Sequence, residues 1–189
     1  MKELDQALEL AKTMVSIGSS AGRRVVAVLS SMRQPLGMAI GNALEIQEAV
    51  DTLKGNGPAD LEEVSLYLAA QMLVLGGAAP DEEAGLSLAK SVLESGQGYE
   101  RLKQMVAAQG GQVEALERTY GLGQATLHVV VKAANTGYVA GIDTEEVGRL
   151  AMMLGAGREK VEDRIDHTVG IVLHRKIGDY VQRGECLAI

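Results

Sequence analysis

The spacing of apolar residues changes period partway along the chain, and that change constrains the fold more than any motif. Leu4, Ala7, Leu8, Ala11, Met14 and Val15 recur at helical intervals and predict an amphipathic helix, ended by Gly18 and Ser19-Ser20-Ala21-Gly22. Arg23–Ser30 is short and valine-rich, which predicts a strand buried on both faces of a parallel or mixed sheet. After a loop over Ser31–Gly37, Ile40, Ala43, Leu44, Val50 and Leu53 mark a second helix closed by Gly55-Asn56-Gly57-Pro58. A third helix starts with Asp60 as its expected N-cap and Glu62 and Glu63 in its first turn, and runs through Leu75. A fourth begins near Pro80-Asp81-Glu82-Glu83, with Leu86, Ala89, Val92 and Leu93 on its expected inner face. A shorter one with Tyr99, Leu102, Met105 and Val106 ends at Gly110-Gly111.

Beyond this point the apolar runs shorten and favour β structure. Leu127–Val131 and Gly137–Ile142 read as strands around a turn at Asn135-Thr136-Gly137. One helix with Val147, Leu150, Ala151 and Leu154 intervenes, stopped by Gly155-Ala156-Gly157. Gly170–His174 is a further strand. Gly178–Val181 and Gly184–Ile189 then suggest the turn and strand of a small barrel. The fold class is therefore α/β, with a boundary between Gly111 and Leu127. Residues 1–120 would form part of a mixed-sheet α/β domain with several helices, and residues 121–189 a small β-rich domain.

Charge and composition narrow the function classes. A net charge of -7 and the absence of Phe and Trp argue against a nucleic-acid partner, which calls for a basic face and stacking rings. The apolar runs are too short to span a bilayer, and no signal-peptide pattern opens the chain. The expectation is a soluble cytoplasmic metabolic protein. The single cysteine, Cys186, excludes an internal disulfide and a multi-cysteine zinc site, and reads as an inert structural thiol.

Catalytic constellations are scarce. His128, His167 and His174 are scattered, and His167 beside Asp166 and Asp163 reads as a charged turn rather than a metal pair. Gly137–Gly141 and Gly155-Ala156-Gly157 lack the glycine spacing of a nucleotide fingerprint and read as turns. Gln34–Glu45 is more pointed. A loop with two glycines leads into a helix carrying Glu45 and Glu48 three residues apart, so main-chain carbonyls and a carboxylate can converge. Such oxygens suit a hard cation, potassium or calcium, rather than zinc. A plain helix N-terminus with solvated glutamates is the alternative.

The same segment, Gln34-Pro35-Leu36-Gly37 through Gly41-Asn42-Ala43-Leu44-Glu45, resembles the signature stretch of the pyrimidine-nucleoside and thymidine phosphorylase family. The likeness extends over Ala11-Lys12, Met14-Val15, Ile17-Gly18 and Gly22-Arg23, and forward over Glu48-Ala49, Leu53-Lys54-Gly55, Gly57-Pro58 and Asp60-Leu61. It continues in Ala151–Arg158, Asp163, Ile165-Asp166, Val169-Gly170-Ile171 and Gly178-Asp179. The resemblance implies glycosyl transfer in pyrimidine salvage: nucleoside plus phosphate gives free base plus ribose 1-phosphate or its deoxy form. It implies a homodimeric, potassium-binding parent enzyme whose C-terminal part is a small α+β hybrid barrel. The site residues it implies here are the main-chain oxygens of Leu36 and Ala39 and the carboxylate of Glu48, as ligands of potassium, or of calcium in its place. The family's Lys-His-Ser-Thr-Gly-Gly motif, its other phosphate-binding residues and its base-gripping Arg/Ser/Lys set do not occur in this sequence. No catalytic or substrate-binding residue is therefore assigned, and the expectation is a truncated chain, inactive alone.

Two other readings compete. Lys176–Val181 with Gly184-Glu185 also resembles biotinyl and lipoyl carrier domains, but Lys132 and Lys176 lie in or beside strands without the flanking residues of a carrier lysine. A non-catalytic scaffold module is the other. Uridine and thymidine preference are not separable from these residues.

Overall fold

The computed structural model describes residues 3–117, 125–158 and 160–189. The helices are α1 (Leu4–Ser20), α2 (Asn42–Leu53), α3 (Ala59–Leu75), α4 (Glu82–Glu94), α5 (Gln97–Ala108) and α6 (Thr144–Ala151). The strands are short: β1 (Ala39–Ile40), β2 (Val131–Lys132), β3 (Gly137–Tyr138), β4 (Ile171–Val172), β5 (Tyr180–Val181) and β6 (Cys186–Ala188). They pair as three two-stranded antiparallel sheets, β1 with β4, β2 with β6 and β3 with β5. The mixture of helices and small sheets agrees with an α/β chain. The expected boundary at residues 120 and 121 lies outside the described residues.

The helical part is built on close approach between small residues. The α3–α4 hairpin buries Ala70 and Ala89, and a Cβ added at Gly85 would lie 2.8 Å from the Ala70 carbonyl oxygen. Helix α4 begins where expected, and Asp81 caps it by accepting from the Ala84 N–H at 2.9 Å. Leu86, expected on the inner face, is exposed. The inner face is set by Gly85 and Ala89, because a leucine there would hold the helices apart. Asp60 is not the N-cap of α3. Pro58 takes that position and Asp60 lies inside the first turn.

The strand readings need more correction. Arg23–Ser30 forms no strand, and all of it but the half-buried Val25 is exposed. A run of valines makes a buried strand only where other strands take up its backbone groups, and none of the described residues does so. Leu127–Val130 is likewise exposed and outside any sheet, and the expected hairpin with Gly137–Ile142 does not form. Instead β2 and β3 each pair with a strand near the C-terminal end, β6 and β5. Ile40, expected in the helix, belongs to β1. The accessible surface is 13086 Å², where a compact monomer of this mass shows roughly 8,700 Å².

A close backbone crossing is among the contacts that join the two parts. Gly41, at φ +138°, ends β1 and precedes α2, and a Cβ there would lie 2.6 Å from the Val169 carbonyl oxygen. Reciprocally, a Cβ on Gly170 would lie 2.3 Å from the Ile40 carbonyl oxygen. Only two glycines let these backbones lie so close. Gly41→Ala should therefore lower unfolding stability by about 2–3 kcal/mol, through collision and an unfavourable φ. Gly148→Ala, in the open interior of α6, should raise it by about 0.5–1 kcal/mol. Urea unfolding of both variants checks the contrast, and equal effects would contradict it.

Candidate functional site

The site grows from the start of α2. Glu45 turns back so that its Oε1 accepts from the Gly41 N–H at 2.9 Å, which satisfies a helix-end donor. Glu45 is thereby occupied as a cap. Glu48, one turn later, points into the preceding loop. Its Oε1 accepts from the Met38 N–H at 2.8 Å and the Ala39 N–H at 3.1 Å. Its Oε2 lies against Gly37, where an added Cβ would sit 2.1 Å away. Gly37, buried and at φ +69°, lets the loop fold over the carboxylate.

Ala39 thus meets Glu48 through its N–H rather than through the carbonyl oxygen expected as a ligand, and Leu36 lies in the loop just before. The expected ligand set, one carboxylate and main-chain carbonyls, is all oxygen. No group of three or more His, Cys, Asp and Glu able to hold a metal occurs among the described residues. Such a set fits a weakly held hard cation better than a transition metal.

Burial pushes the Glu48 carboxyl above its ordinary value, against the N–H groups of Met38 and Ala39, which favour the charged form. Asp60 pushes the same way as burial, and Lys176 opposes it. Lys176 is the residue the sequence reading did not place. Its ammonium donates to the Pro35 and Gly37 carbonyls and lies 3.0 Å from Asp60 Oδ2. The same Asp60 oxygen accepts from the Gly37 N–H at 3.3 Å. Gln34 adds a second tie, its Oε1 accepting from the Ile177 N–H at 2.9 Å.

The turn that delivers Lys176 is legible in retrospect. Its own N–H donates to Asp179 Oδ2 at 2.8 Å, and Gly178 takes φ +96°. The Gly178-Asp179 pair signals the turn, but nothing local shows that a lysine before it reaches the Pro35–Gly37 loop. Lys176 is only 9% exposed, which does not suit a carrier lysine that must be presented to a modifying enzyme.

The remaining candidates are structural. His128 Nε2 lies 3.0 Å from the Ala125 carbonyl oxygen, and the His167 carbonyl accepts from the Ala43 N–H. The N–H of His174 donates to the Leu187 carbonyl. Asp166 accepts from the Thr168 N–H and hydroxyl, which hold its carboxyl below the ordinary range. This is a turn, as expected. Gly155, at φ +109°, serves the bend after α6 and accepts from the Asp166 N–H. Cys186 Sγ contacts the Ala188 carbonyl and is half-buried. No helix among the described residues is long and apolar enough to cross a membrane.

A carboxyl raised above its ordinary value binds its proton more tightly in the folded chain than in the unfolded one. Glu48 should therefore add stability as pH falls from its folded midpoint toward 4.5, and that gain is absent at higher pH. The stability difference between the parent chain and Glu48→Gln should shift in favour of the parent over that window. Denaturant titrations from neutral to mildly acidic pH check it, and a difference constant with pH would contradict it.

The sequence matches two family descriptions. "Glycosyl transferase family, a/b domain" covers residues 1–99, and "Pyrimidine nucleoside phosphorylase C-terminal domain" covers residues 138–189. A pyrimidine-nucleoside phosphorylase of Staphylococcus haemolyticus (strain JCSC1435) is 46% identical over 187 residues. Those of Staphylococcus aureus strains bovine RF122 / ET3-1 and USA300 are each 47% identical over 187 residues. In all three the alignment takes in 99% of this chain, which spans 43% of the relative's length.

Proposed function

This chain belongs to the pyrimidine-nucleoside phosphorylase family, and on that premise we propose that it is the cation-binding and C-terminal portion of such an enzyme. The parent reaction is phosphorolysis: phosphate attacks C1′ of a pyrimidine nucleoside, the glycosidic bond breaks, and the base departs with the electron pair. The products are the base and ribose 1-phosphate or its deoxy form. A transition state with oxocarbenium character needs oriented cationic and hydrogen-bonding groups around phosphate and base. The identity along 99% of this chain carries the reading.

Within it, Leu36 and Ala39 supply carbonyl oxygens and Glu48 its carboxylate to potassium, or to calcium in its place. Bound there, the ion would supply positive charge at the loop that the family's phosphate-binding segment meets. Support comes from the Glu48 carboxylate drawn under the loop by two main-chain N–H groups. The reading includes a cytoplasmic, homodimeric parent enzyme, a domain division near residue 120 and a hybrid-barrel arrangement of the C-terminal strands.

Two outcomes are expected. The chain alone should not consume uridine or thymidine in the presence of phosphate, followed by chromatography. Phosphate-dependent turnover would place an active site within these residues and overturn the proposed division of labour. For the cation, potassium should lower the Glu48 titration midpoint, because metal and proton compete for one carboxylate. Glu48→Gln in a full-length enzyme should weaken potassium activation. A midpoint and an activity unmoved by potassium would remove the ligand assignment.

A further inference from the structure

We propose that the carbonyls of Pro35 and Gly37 and the carboxylate of Asp60 form a second cation site, distinct from the one proposed at Glu48. Its permanent occupant is the ammonium of Lys176, which makes Lys176 a positioning residue for the Gln34–Ala39 loop. The proposal goes beyond the potassium reading and stands on contacts within this chain alone.

A buried ammonium makes specific demands. It carries three donors and no acceptor, and burying it is unfavourable unless each donor finds oxygen and its charge finds a partner. Lys176 meets all of these conditions: two carbonyls of one loop, one carboxylate at 3.0 Å, and 9% exposure. The loop has a matching need. Gly37 at φ +69° turns its carbonyl out of any regular pairing, and Glu48 and Asp60 bring two carboxylates close to it. The Lys176 ammonium supplies a positive charge there without a metal.

The position of the lysine in the chain gives the site its purpose. Lys176 lies in the segment matching the C-terminal domain, whereas Pro35, Gly37 and Asp60 lie in the a/b segment. Its main chain is fixed by Asp179, and Ile177 is fixed by Gln34. The ammonium therefore reaches the loop from a turn that is itself anchored. The side chain works as a tethered counter-ion that sets where Leu36 and Ala39 lie.

The experiment removes the tether and offers the cation back. Lys176→Ala deletes the equivalent of propylammonium. In the 189-residue chain its Tm should fall by about 5–10 °C. Propylammonium should restore at least half of that loss, while propanol, of the same shape without charge, and tetramethylammonium, charged but too large, should not. Asp60→Asn combined with Lys176→Ala should abolish the rescue. An unchanged Tm, or equal rescue by propanol or tetramethylammonium, would overturn the proposal. If Lys176→Ala does not fold, reductive methylation of the unaltered chain decides. Lys176 should react about tenfold more slowly than exposed Lys90, and Asp60→Asn should remove that protection. Equal reactivity of the two lysines would overturn it.

Discussion

Two backbones meet without side chains between them where Gly41 passes Gly170, and the arrangement of the site follows from that contact. The β1–β4 pairing on one side and the start of α2 on the other are fixed by the same approach. Because α2 starts there, Glu45 can cap its own helix end and Glu48 comes to lie under Met38 and Ala39. Because β4 is held there, the chain that follows reaches Lys176 within range of Pro35 and Gly37. A bulkier residue at either glycine would separate the loop from its carboxylate and from its ammonium together.

Legibility in the sequence followed the range of the interactions. Helices α2 to α5 could be read because period, cap and glycine stop are all local, as Asp81 before α4 and Gly110-Gly111 after α5 illustrate. Asp60 misleads because Pro58, two residues earlier, takes the cap position and leaves the Asp60 carboxylate to pair with Lys176. The valine runs at Arg23–Ser30 and Leu127–Val131 carry strand propensity, but propensity does not provide the neighbouring strand that satisfies the ladder. Val131 alone finds one, in β6.

The site divides the same way. Glu48 is visible in a loop-to-helix pattern confined to a few residues, whereas Leu36 and Ala39 rest on the resemblance alone. Lys176 and Gln34 depend on contacts across most of the chain, and no spacing rule reaches that far. The carrier-like Lys176–Val181 motif shows the hazard: its Gly178-Asp179 turn was correctly read as turn geometry, yet the lysine before it gained importance only from distant partners.

The distance in sequence between those partners also bears on the order of assembly. Lys176 and Ile177 meet Pro35, Gly37 and Gln34 across separations of 141, 139 and 143 residues. The α3–α4 hairpin closes across a short turn and gains its buried small-residue contact early, whereas closing a loop of the longer kind must wait for the structure between. On a ribosome, the Gln34–Ala39 loop would emerge and its helix would form well before the lysine that steadies it was synthesised. The ammonium contact therefore has to wait until the residues between its partners, 141 and 139 positions apart, have been made.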